Sequence, residues 1–332
     1  MPEAIEGSFV DPASIVGKAE KAEKQNAEGA KSPAQNGAPG GGRVGKPRSL
    51  WSDAWRDLRR NPLFVISAVL IALLLTMTCF PGLFTSASPR NGDLTGAYLK
   101  EPEFGKVFSG EWLGYDGQGR SIWARLVYGA RASIIVGVVV TAAVTLFGGF
   151  VGMMAGYFGG WIDSVLSRLT DIFAGIPFLL GAMVVLTSFD VRTVWVVSSA
   201  LAILGWTQIA RVMRGSVISI KQQDYVMAAK ALGAGTGRIL LRHILPNAIA
   251  PVIVVATIAL GGYISAEATL SYLGIGLADP VVSWGIDVSA GKDQLRNAPH
   301  VLLFPALMVS VTVLAFIMLG DAVRNALDPK LR

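Results

Sequence analysis

The chain has 332 residues, of which 52% are hydrophobic and only 16% charged, with a formal net charge of +6. Its mean hydropathy is +0.51, and long uncharged runs exclude an ordinary soluble domain, where about a quarter of residues are charged. One cysteine, Cys79, leaves no internal disulfide or thiolate cluster, and His243 and His300 are too far apart in sequence for a multi-histidine metal site. The positive charge therefore reads as the cytoplasmic edge of a membrane protein rather than as nucleic-acid binding.

Residues 1–48 are rich in Ala, Gly, Glu, Lys, Pro and Asn without apolar periodicity, which predicts a disordered cytoplasmic tail. Gly40 and Gly45-Lys46 have P-loop spacing, but Pro47 stands where a magnesium-binding Ser or Thr is required and no apolar strand precedes the glycines. No apolar stretch follows the first residues, so the start does not read as a signal peptide. From Leu50 to Arg60, Trp51, Trp55 and Leu58 share one helical face opposite Arg56, Arg59 and Arg60, the pattern of a helix lying on the membrane surface.

Six uncharged runs follow: Asn61–Phe84, Ala132–Ile162, Ile172–Phe189, Thr193–Ala210, Asn247–Ala266 and Val301–Gly320. Each has, or nearly has, the ~20 residues needed to cross the hydrocarbon. Pro62 suits the first turn of the first span, the second run is long enough to contain a turn at Tyr157-Phe-Gly-Gly160, and Pro177 predicts a kink in the third. Arg168 and Asp171 are three apart and suit an ion pair along one helix. Gly148, Gly152 and Gly156 recur every four residues, so a second helix can approach closely; packing within the chain is favoured over a face for another subunit.

The Lys and Arg distribution places both termini in the cytoplasm, with Arg56, Arg59, Arg60, Arg168, the cluster Arg211–Arg242 and Arg324 on that side. Residues 85–131 and 267–300 then form external loops, and residues 211–246 the only sizeable cytoplasmic loop between spans. The predicted organisation is a tail (1–48), a surface helix, first span and external loop (49–131), and a five-span core (132–332). Within the cytoplasmic loop, Asp224 to Leu232 suits two helical turns with a small-residue surface at Ala228 and Ala229, and Gly233 is placed to end them. A second short helix is expected from Thr236 to His243, with Pro246 opening the fifth span. On its own this segment also reads as an ordinary basic cytoplasmic loop; a DNA-reading helix-turn-helix is disfavoured by its confinement between spans.

Glu267 follows about twenty uncharged residues at the outer end of the fifth span, and two readings stand: a functional intramembrane acid, or a carboxylate pairing locally near the headgroups. Gln208 and Thr207 either line a polar pathway or bond a neighbouring helix.

Met227-Ala228-Ala229, Gly233 and His243-Ile244-Leu245-Pro246 resemble the "EAA" loop of binding-protein-dependent ABC import permeases: Glu-Ala-Ala, three residues, Gly, nine residues, Ile-x-Leu-Pro. Two positions depart, Met227 for the Glu and His243 for the Ile. Arg242-His-Ile-Leu-Pro-Asn247 is similar to the peptide and nickel branch, and Leu113–Ser121 with Leu126–Arg131 to its C-type permeases. So are Ala155–Trp161, Glu267–Gly274, Ser283-Trp-Gly285 and Leu327-Asp-Pro329. The likeness runs from about residue 50 to the C-terminus.

The resemblance implies an all-α membrane protein of six transmembrane helices with the type I ABC importer permease fold, in the bacterial inner membrane. It implies a non-enzymatic subunit that forms half of a peptide pathway, paired as a heterodimer with a second permease. Two cytoplasmic ATPases would bind ATP and Mg, an external solute-binding protein would deliver the solute, and the chain itself would carry no cofactor. The implied coupling residues are Asp224, Tyr225, Met227, Ala228, Ala229, Leu232, Gly233, Leu245 and Pro246. Nickel chelates or another small solute fit the same branch. The rival from another class is a stand-alone secondary transporter, disfavoured because Asp171, Glu267 and Asp321 sit at span ends rather than near the midplane.

Overall fold

A computed structural model describes residues 58–327, which are helical apart from their connections. The P-loop-like glycines, the tail, Trp51 and Trp55 of the expected surface helix, and Asp328-Pro329 lie outside the described residues. Helix α1 (Pro62–Cys79) begins where Asn61 Oδ1 accepts the Leu63 N–H at 2.9 Å, with Pro62 in the first turn, where its missing donor costs nothing. Most of its large apolar side chains are exposed within the chain, Val69 by 63%, as suits a helix facing lipid or another subunit. Helix α2 (Ile122–Phe158) is 37 residues long, about 55 Å at 1.5 Å per residue.

Helix α2 packs along α5 (Val194–Lys221) through its glycine ladder. A Cβ at Gly148 would lie 2.5 Å from the Trp206 carbonyl oxygen, one at Gly156 2.9 Å from that of Arg214, and one at Gly152 would overlap that of Ala210. Steps of four on α2 therefore meet steps of four on α5, backbone against backbone, and the glycine face is consumed within the chain.

The chain reverses at Gly159 and Gly160, whose φ values of +66° and +54° are open to glycine. Helix α3 (Gly160–Ala174) follows, then α4 (Phe178–Thr187), and the two meet at 81°. The third run is thus a broken helix rather than one kinked span. Pro177 keeps Ile176 out of the helical region, and neither half alone is long enough to cross. Among the described residues, five helices are long and apolar enough to span, or six if the broken pair counts as one. The expected Arg168–Asp171 pair does not form. Asp171 instead binds Arg211 of α5 at 3.0 Å, and Asp163 holds Arg214 in a two-pronged bond at 2.5 and 2.7 Å. Pairing to α5 closes the bundle, which pairing within α3 would not do.

Several boundaries also move. Helix α5 runs on to Lys221, and the fifth span is part of one helical stretch from Thr236 to Tyr272, so the non-helical cytoplasmic segment is shorter than residues 211–246. The external loop ends at Ser121, whose Oγ caps α2 by accepting the Ala124 N–H. Lys100 and Lys106 knot the loop to Glu103 and Glu111. Hydrogen bonding to Lys100 and then Lys106 holds the Glu103 carboxyl down to about 2. A carboxyl held below its unfolded value of 4.5 contributes in full above that value and loses the contribution progressively as pH falls from there through about 2, so the knot is intact at mildly acidic pH.

Gly152→Val places two γ carbons against the α5 backbone. It is expected to cost about 1–3 kcal/mol, read as a lower thermal-unfolding midpoint and less protein in the membrane; an unchanged midpoint counts against the ladder as a close contact.

Candidate functional site

Helix α6 (Asp224–Ala231) projects from the bundle with one buried side chain, Val226 at 4% exposure. Val226 belongs to the same apolar cluster as Ile239, Leu240 and Ile244. Those three lie in a π-helical segment, Ile239–Ile244, between a single helical turn α7 (Thr236–Arg238) and α8 (Leu245–Tyr272). The expected second short helix is therefore the start of the fifth membrane helix itself. Gly233 ends α6 at φ +81°, the Gly233 N–H donates to the Lys230 carbonyl, and that of Ala234 reaches back to Ala229 at 3.1 Å.

The remaining surface of α6 is open. Asp224, Tyr225, Met227 and Ala228 are exposed, Ala229 is half-buried, and Leu232 is 89% exposed. Leu245 is half-buried and Pro246 exposed at the start of α8. All nine residues expected to couple thus fall on or beside one protruding element, with an apolar side chain at its tip that the described residues leave uncovered.

Glu267, near the outer end of α8, is fully buried. Ser133 of α2, Ser271 of α8 and Ser283 donate their hydroxyls to its carboxylate at 3.1, 2.9 and 3.2 Å. Ser283 also caps helix α9 (Trp284–Gly291), which lies in the second external loop. Trp284 next to it is fully buried, its indole N–H donating to the Leu126 carbonyl at 2.8 Å. A second buried contact joins the same elements: Arg125 Nε of α2 donates to Asp287 Oδ1 of α9 at 2.6 Å. The structure therefore sets Glu267 into a clasp that ties α9 to α2 and α8.

Gln208 lies elsewhere. It is exposed on α5, in a cleft of about 460 Å³ at the break between α3 and α4, together with Thr207, Arg211, Phe173, Phe178 and Tyr263. Glu267 and Gln208 are not brought together. Sequence reasoning missed Asp163 and Asp287 as ion-pair partners. Each is an acid beside an apolar run, and that was the only signal; their cations lie 51 and 162 residues away. The last described helix, α10 (His300–Leu327), packs against α1, α8 and α9.

Among the described residues, an apolar helix bundle, one span broken beside an open cleft and a protruding helical loop make up a multi-pass membrane protein. Residues 148–332 match the family model of the binding-protein-dependent transport system inner membrane component, and residues 49–102 that of the N-terminal TM domain of oligopeptide transport permease C. The chain is 36% identical over 284 residues to the dipeptide transport system permease protein DppC of Alkalihalophilus pseudofirmus, covering 86% of this chain and 91% of that one. It is 37% identical over 287 residues to the oligopeptide transport system permease protein OppC of Bacillus subtilis, covering 86% and 92%. It is also 33% identical over 285 residues to the glutathione transport system permease protein GsiD of Pectobacterium atrosepticum, covering 86% and 93%. The chain belongs to the family of binding-protein-dependent transport system inner membrane components, the permease subunits of ABC importers.

Arg125→Leu leaves Asp287 buried and unpaired. The loss is expected to be about 3–5 kcal/mol in thermal unfolding of the purified protein, with most of it recovered when Asp287→Leu is added. Equal destabilisation in the single and double variants would show that the pair does not hold α9.

Proposed function

We propose that the chain forms half of the translocation pathway for dipeptides and oligopeptides in an ATP-driven importer. It pairs with a second, similar permease and works with two cytoplasmic ATPases and an external solute-binding protein. ATP and its Mg²⁺ bind to the ATPases, not to this chain. The observation that carries the reading is 36–37% identity, over 86% of the chain, to permeases of dipeptide and oligopeptide systems. Relatives named for dipeptide, oligopeptide and glutathione transport favour peptides over nickel chelates.

The proposed mechanism starts at α6. Its exposed face, with Ala228 and Met227 on the surface and Leu232 at the tip, seats in a cleft of an ATPase. With Met227 where the family pattern has Glu, the fit rests on shape and apolar contact rather than on a carboxylate. Val226 and the π-helical segment join α6 to the continuous helix that ends at Tyr272 on the outer side. A displacement at the ATPase is thereby delivered along the fifth membrane helix, and the bundle rocks between inward- and outward-open states. ATP drives this only because it binds one global state more tightly than the other.

Two variants test the loop. No atom stands within 4 Å of a Cβ at Gly233, so only its positive φ resists substitution. Gly233→Val distorts the turn at a cost of about 1–2 kcal/mol. In the reconstituted transporter it is expected to retain ATP hydrolysis while peptide uptake falls, whereas Gly233→Asn keeps both. Normal uptake in the valine variant would overturn the seating of α6. Leu232→Asp is expected to change the stability of the chain by less than about 0.5 kcal/mol, yet to release the ATPases on co-purification; retention of the ATPases would count against Leu232 as the contact.

A further inference from the structure

The cleft at the broken helix carries more polar capacity than packing requires. Thr207 is only 9% exposed, lines the cleft, and has no hydrogen-bond partner among the described residues. Several other helical threonines donate back to the carbonyl four residues earlier, Thr170, Thr257 and Thr269 at 2.8 Å each; the hydroxyls of Thr141 and Thr145 on α2 also lack a partner, but they are closed off from any space. A hydroxyl that declines its local acceptor and faces a cavity is placed to bond something inside that cavity.

Three further features surround it. Gln208 is the next residue on α5 and opens into the same space. One turn on, Arg211 uses one Nη on Asp171 and remains 55% exposed, which leaves Nε and the second Nη for another acceptor. The first turn of α4 borders the cleft at Phe178, and Pro177 before it provides no side-chain cap. The free N–H groups of such a turn and the positive end of its helix dipole favour an anion.

No Asp or Glu lines the cleft; Asp171 lies behind Arg211, in the neighbouring crevice with Arg214. Phe173 and Phe178 give the rest of the space apolar walls. Its volume of about 460 Å³ suits a small solute rather than a protein segment.

The geometry points to a solute subsite in this cleft, in which Thr207, Gln208 and Arg211 hold the carboxylate of a small peptide. Phe173 and Phe178 cover the apolar part of the same solute. The assignment rests on the peptide reading of the transporter and names where, within this chain, the solute is held. Arg211 exchanges Asp171 for the solute at little cost, because both side chains of that pair are exposed to more than half.

The test uses the complete transporter in proteoliposomes. Thr207→Val, which keeps shape and removes the hydroxyl, is expected to lower peptide uptake about tenfold, with Thr207→Ser close to wild type. Uptake by the valine variant equal to wild type would overturn the subsite, as would a serine variant as impaired as the valine one. A second measurement avoids the binding protein. With Cys79→Ser removing the one native cysteine of this chain, Gln208→Cys is labelled by a sulfonate-bearing thiol reagent. Alanylalanine is expected to slow that labelling and its C-terminal amide to leave it unchanged. Equal protection by both, or none by either, overturns carboxylate recognition. A wild-type transporter that takes up no peptide overturns the peptide reading itself, separately from the behaviour of the variants.

Discussion

The approach of α2 to α5 is the contact on which the rest of the bundle depends. Where Gly148, Gly152 and Gly156 lie against the backbone of Trp206, Ala210 and Arg214, no side chain separates the two helices. In a membrane there is little hydrophobic drive between helices, since lipid is as apolar as the side chains, so close van der Waals contact must hold them. The ladder places Arg211 and Arg214 one turn apart within reach of α3, and sets Thr207 and Gln208 on the side that opens at the helix break. Without this spacing the ion pairs to α3 and the cleft would not form where they do.

The outer end is secured differently. There the polar groups are buried and paired: Glu267 accepts from three serines, and Arg125 meets Asp287, whose second carboxylate oxygen takes no hydrogen bond. Such contacts add little net stability compared with a well-packed apolar core, but breaking one partner is costly. They therefore select one position for α9 rather than strengthen the bundle as a whole. The inner end offers the contrasting case, with an exposed helix, α6, anchored by Val226 alone.

Much of this was legible from the sequence because membrane spans announce themselves locally. The apolar runs, the stop at Gly233 and the glycine spacing on α2 each follow from residues close together in the chain. The break at Gly175-Ile-Pro177 was legible only as a kink, since the size of a bend depends on what the two halves pack against. Arg168 and Asp171 looked like partners because they are three apart, yet Arg211, 40 residues away, holds Asp171. The environment of Glu267 was not readable for the same reason. Ser133 stands 134 residues from it, and a serine in an apolar helix carries no sign of its partner. Gln208 and Thr207 are legible in the sequence as polar residues within a span, but the cleft they line depends on the distant break between α3 and α4.

The broken helix has a mechanical consequence. Helix α3 is jointed at both ends, by Gly159-Gly160 with positive φ before it and by the 81° bend after it. Between the joints it is tied to α5 by the two-pronged Asp163–Arg214 pair and by the more exposed Asp171–Arg211 pair, the weaker of the two. The α2–α5 pair, by contrast, has no slack to give. The chain is therefore a stiff frame carrying one articulated strut, and a load applied to it bends the strut before it distorts the frame.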